Sequence, residues 1–211
     1  MVLVHEFGES PSSKDIISDS AMAYANSKGI PLRARFSTRK RETAERSAFD
    51  IRPFKYSGQF TWLSDSALMP LTIQDKLFIF AHANDTEVGF THARLLASML
   101  YANGLRAVGL ITFKACNVGS GTSLEDFVAA LNSRGVTVGW AKGYKGSAAT
   151  VRLIFEDGSD AGWGERIGLE QSVTLPDSTQ ETQKRVLEGD ARFKIVRSAN
   201  NPFAGSFGRY A

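Results

Sequence analysis

The chain has one cysteine, Cys116, in 211 residues, so no intramolecular disulfide can form. It has three histidines, His5, His82 and His92, and with a single thiol they cannot supply a structural Cys/His zinc site of the usual four ligands. No apolar run approaches the roughly 18–20 residues of a membrane-crossing helix. The opening Met1-Val-Leu-Val-His-Glu6 has no basic stretch before an apolar core, so no secretory signal is read there. Export by a signal-less route would leave the same sequence. Neither a Walker phosphate loop nor a G-x-S-x-G elbow is present. Lys142-Gly-Tyr-Lys-Gly146 has the wrong spacing for the first, and Ser147 lacks the context of the second.

What remains is an ordinary globular composition, 43% hydrophobic and 22% charged, of a size that fits one domain. The expectation is a single unit over 1–211, with a core at about 59–155, a basic N-terminal segment at 31–58 and a C-terminal extension at 156–211. The net charge of +3 is unevenly spread. Between Arg33 and Lys55 eight cations face three anions, a cluster able to bind a polyanion but more often a solvated face. Nucleic acid is not an expected partner, and the oligomeric state is left open.

Residues 8–20, rich in Ser, Asp, Pro and Gly, read as loop, with a short helix over 21–28 stopped by Gly29 and Pro31. Short strands are read at 33–36 and 59–63, with a weak helix over 38–48. The centre is clearer. Lys76 to Ala81 is a continuous apolar run that reads as a strand buried on both faces. Thr91 to Asn103 has helical spacing, with Gly104 at its C-cap. Ala107 to Phe113 is a second buried strand. Ser123 to Ser133 is a second helix, with Ser123 as N-cap and Asp126 as capping-box partner. Val136 to Ala141 is a third strand, and further strands are read at 149–155 and 192–196. Residues 157–182 are ambiguous, and the tail from Asn200 reads as irregular. Strand–helix–strand crossovers of this length imply parallel neighbours. The fold class expected is therefore α/β, a mainly parallel sheet flanked by helices in three layers.

In such sheets ligands bind beyond the carboxyl ends of the strands. His82 follows the first clear strand and Cys116 the second. A lone cysteine is usually packing and a lone histidine usually a loop residue. Both at the ends of successive crossover strands, about 5 Å apart if those strands are neighbours, make a stronger signal. A thiol of pKa about 8.5 needs a base to become a nucleophile at neutral pH, and an imidazole can take that proton and return it to a leaving amine. The N–H groups of Ala83 and Cys116 are the candidate oxyanion donors. Asn84, Asp85 and Glu87 follow His82, and one of them could orient the imidazole. Trp140 and Asn117 are candidates for lining a substrate pocket.

Leu77-Phe-Ile-Phe-Ala-His82 and Gly109-Leu-Ile-Thr-Phe-Lys-Ala-Cys116-Asn-Val-Gly119 resemble the two catalytic strand ends of caspase-like (clan CD) cysteine peptidases. The nearest in character is the self-processing cysteine protease domain of bacterial toxins. The resemblance covers roughly residues 70–155 and rests on short motifs. It implies a caspase-like fold and peptide-bond hydrolysis by a thiol–imidazole dyad, with Cys116 as nucleophile, His82 as general base and acid, and a protein or peptide substrate. It implies a bacterial protein, cytoplasmic or exported without a classical signal. It requires no metal or cofactor. It also raises inositol hexakisphosphate as an activator, for which Arg33, Arg35, Lys55, Lys142, Lys145 and Arg152 are the candidate ligands. One position departs: the family has Gly after the histidine and this chain has Ala83, which a Gly-only backbone conformation would not tolerate. The alternatives are an inactive caspase-like module that binds a protein or polyanion, and another thiol enzyme such as an acyltransferase or deamidase.

Overall fold

The computed structural model describes residues 1–5, 11–38, 59–146, 148–154, 160–167 and 184–188. The chain runs β1 (Val2–Val4), α1 (Pro11–Ser27), a 3-10 turn (Leu32–Ala34), β2 (Arg35–Ser37), β3 (Thr61–Trp62), β4 (Lys76–Phe80), β5 (Glu87–Val88), β6 (Thr91–His92), α2 (Ala93–Ala102), β7 (Ala107–Lys114), α3 (Ser123–Asn132), β8 (Thr137–Tyr144), β9 (Ala148–Ile154), β10 (Asp160–Ile167) and β11 (Lys184–Glu188).

One sheet in the order β11-β8-β7-β4-β1-β2-β3 organises the molecule. Six of its strands are parallel, and β11 is antiparallel to β8 at one edge. The expected α/β class with a mainly parallel, helix-flanked sheet is what forms. On one face, α2 and α3 bury Leu96, Leu100, Phe127 and Leu131 against Leu77, Ile79, Ile111 and Phe113 of the strands. On the other, α1 lays Ile17, Ala21 and Ala25 against Val2, Val4 and Phe80. The alternation along β4 and β7 sends successive side chains to opposite faces, so a continuous apolar run is what a strand covered on both sides requires.

All three helices among the described residues end alike. A glycine in the left-handed region follows each (Gly29, Gly104, Gly135), and its N–H and the next residue's N–H return to the last turn. These are the stops that the sequence pattern marks. The N-cap of α3 differs from expectation: it is Thr122, whose hydroxyl lies 3.2 Å from Asp126 Oδ2, while the Ser123 hydroxyl is used elsewhere.

Two elements depart further. β1, unread in the sequence, lies in the middle of the sheet between β2 and β4. Helix α1 begins at Pro11, ten residues before the expected start. Proline is tolerated in a first turn because the N–H it lacks has no intrahelical partner there. The expected strand at 192–196, the helix beyond Thr38 and the irregular tail lie outside the described residues. No helix among those described is long and apolar enough to cross a membrane.

Candidate active site

β4 and β7 pair in parallel with a constant register, Lys76 opposite Leu110 through Phe80 opposite Lys114. A register continued two residues past the strand ends would set His82 opposite Cys116. Parallel neighbours stand about 4.8 Å apart, and two residues past the end both positions share the parity of Phe80 and Lys114. His82 and Cys116 are both half-buried, and His82 Nε2 is buried.

Each residue sits at the start of a tightly tied loop. After Cys116, Asn117 takes a left-handed φ of 58°, a conformation that asparagine adopts more readily than most residues. Its N–H donates to Gly146 O at 3.1 Å and its carbonyl accepts from Ser120 N–H at 2.8 Å. Gly119 N–H donates to Tyr144 O at 2.8 Å, and Ser120 Oγ donates to Lys145 O at 2.6 Å. The end of β8 thus holds the cysteine loop. After His82, Asn84 Oδ1 accepts from the N–H groups of Thr86 and Glu87 at 2.9 and 2.7 Å. Gly89 N–H donates to His82 O at 2.7 Å and Asn84 N–H to Glu87 O at 3.0 Å. This pattern makes Ala83 and Val88 a non-hydrogen-bonded antiparallel pair, so the Ala83 N–H is directed away from Val88.

The two loops interlock. Ser123 Oγ donates to Asp85 O at 2.5 Å, and a Cβ on Gly121 would come within 2.7 Å of the same carbonyl. That close approach requires a residue without a side chain at 121.

The structure separates the sequence-predicted residues. Asn117 lies beside Cys116. Ala83 is not among the residues of positive φ, so its position does not demand the glycine that the resembling family carries. Trp140 is not at the crevice: it is buried in mid-strand, opposite Leu110 and Glu188. The β8 position level with Cys116 is Gly146, six residues or about 20 Å further along. Asn84 is committed to its own turn and Glu87 pairs with the exposed His92 at 3.4 Å, so neither is set to orient His82.

The basic residues do not form one cluster. Arg35 is buried, its guanidinium donating to Ile30 O at 2.7 Å and Asn26 Oδ1 at 2.9 Å. It lies four strands from Lys142, about 19 Å across the sheet. Arg33 and Lys145 are exposed and Lys142 is half-buried. Lys55 and the side chain of Arg152 lie outside the described residues.

Sequence reasoning also missed several neighbours. Lys114, two residues before Cys116, puts Nζ 3.2 Å from Tyr144 Oη and 4.9 Å from the Tyr24 ring centroid. Burial pushes the Tyr24 hydroxyl up to about 12 and Tyr144 further in the same direction. His5 and Thr91 lie behind the histidine loop. None of these carries a motif; only the pairing of strands distant in sequence brings them in. No protein-family model matches the chain, and no curated protein matches it.

Proposed function

We propose that the chain is a cysteine endopeptidase in which Cys116 attacks a peptide carbonyl and His82 moves the proton. The observation that carries this reading is the parallel register of β4 on β7, which ends on Phe80 opposite Lys114, with one imidazole and the chain's one thiol each following two residues later at the carboxyl edge. The loops after both residues are tied down, as a preorganised dyad needs.

In this mechanism His82 takes the thiol proton and Cys116 Sγ bonds to the carbonyl carbon. The negative charge that develops on the carbonyl oxygen meets the N–H groups of Ala83 and Cys116. Collapse breaks the C–N bond, and the imidazolium gives its proton to the leaving amine. Water, deprotonated by His82, then attacks the thioester and releases the acid, restoring the thiol. Self-processing, activation by inositol hexakisphosphate and a place in a bacterial toxin or effector rest on the resemblance alone.

The test is cleavage of a peptide library by the wild-type chain, Cys116→Ala and His82→Ala, with and without inositol hexakisphosphate. Cleavage that requires both residues supports the reading, and dependence on the polyanion supports the activator. An absence of cleavage in either condition by folded protein counts against a peptidase and favours a binding module.

A further inference from the structure

The strand order reverses between β1 and β4: β1, β2 and β3 step outward on one side, and β4, β7 and β8 on the other. In doubly wound sheets this reversal opens a crevice at the carboxyl edge. Here the chain's own hairpin of β5 and β6 fills it, and the hairpin is seated on His5.

His5 follows β1, donates its N–H to Phe80 O at 2.8 Å and is fully buried. Its Nε2 lies 3.0 Å from Thr91 Oγ1, and that hydroxyl is 3.3 Å from Gly89 O. Gly89, at φ 57°, is pressed against the imidazole so closely that a Cβ would come within 2.6 Å of His5 Cδ2. Gly89 N–H in turn holds His82 O. A continuous path therefore runs from the His5 ring through the hairpin to the main chain of His82. His5 Nδ1 is buried with no hydrogen-bond partner among the described residues, a cost that an aliphatic side chain would avoid.

We propose that His5 is a positioning residue for His82, seating the Glu87–His92 hairpin so that Gly89 fixes the His82 backbone beside Cys116. The inference rests on the proposed function only for the role of His82. Burial pushes the His5 imidazole down from 6.5 to about 4, with the Val88 carbonyl opposing, so the ring is neutral near pH 7. The titratable groups on the elements packed against it include His82 after β4 and the Glu87–His92 pair on the hairpin, with Lys76 on β4, Arg35 on β2 and Asp19 on α1.

The experiment compares His5→Leu, Thr91→Val and His5→Gln with wild type. One arm is hydrogen exchange at the Gly89 amide. The other is labelling of Cys116 by a peptidyl electrophile, with His82→Ala as control. His5→Leu and Thr91→Val should each speed Gly89 exchange and slow labelling about tenfold, the worth of one net hydrogen bond. His5→Gln, whose amide can still reach Thr91 Oγ1, should restore both. Gly89 protection in wild type should fall reversibly as pH drops through about 4, and in His5→Gln it should not. Unchanged exchange and labelling in folded His5→Leu and Thr91→Val would overturn the proposal. Faster exchange with unchanged labelling would overturn it too, leaving His5 a packing residue. Wild-type labelling that does not need His82 would instead sink the dyad, and the positioning role with it.

Discussion

The two faces of the sheet are built for different ends. On the α2/α3 side the packing is apolar: Leu77, Ile79, Leu96, Leu100, Ile111 and Leu131 are each fully buried. On the α1 side, toward the carboxyl edge, a lysine stands among aromatic rings, with Lys114 bonded to Tyr144 and flanked by Tyr24 and Phe78. His82 and Cys116 each lie two residues beyond Phe80 and Lys114, which belong to this second side, and a continued strand parity would bring them to it. The α2/α3 face is apolar throughout, whereas the α1 face joins an apolar patch of Val2, Val4, Ile17 and Phe80 to a lysine among aromatic rings toward the carboxyl edge.

Truncation tests that difference most strongly. Leu100→Ala should cost about 2–5 kcal/mol in denaturant unfolding, from lost burial and the cavity left behind. Phe78→Ala, at a half-buried site, should cost clearly less; equal losses would break the comparison. Next comes pH. The folded pKa of His5 lies below its unfolded value, so the unfolded chain takes up the proton first as pH falls. The His5 contribution is complete above about 6.5 and is lost as pH falls to about 4, a change on the order of 3 kcal/mol. The difference between wild type and His5→Gln across that window isolates it from the carboxylates. Tyr144→Phe should cost about 1 kcal/mol by removing the hydroxyl from Lys114 Nζ. Arg94→Ala, which breaks the exposed 3.1 Å pair with Asp126 on the α2/α3 side, should cost less than about 1 kcal/mol.

That contrast also explains what could be read in advance. Helices α2 and α3 and strands β4, β7 and β8 announce themselves because amphipathic period, buried runs and glycine stops agree. The same agreement put His82 and Cys116 at one edge. β1 escaped because three residues are too short to show a period, although tertiary pairing makes it central. The start of α1 escaped because Ser- and Asp-rich composition resembles a turn, while the α1·β1 packing decides the matter. Arg35 looked like a surface cation and is instead an internal donor, and Trp140 looked like a strand end and lies in mid-strand. His5 was invisible because its role exists only once β1 lies beside β4 and the hairpin folds back.

The most direct test of the central claim is mass-spectrometric mapping of a peptidyl electrophile on the intact chain near neutral pH, for wild type, His82→Ala and Cys116→Ala. The account predicts a single adduct on Cys116 that disappears in Cys116→Ala and is strongly slowed in His82→Ala. Equal labelling with and without His82, or no labelling of folded wild-type protein, would contradict it.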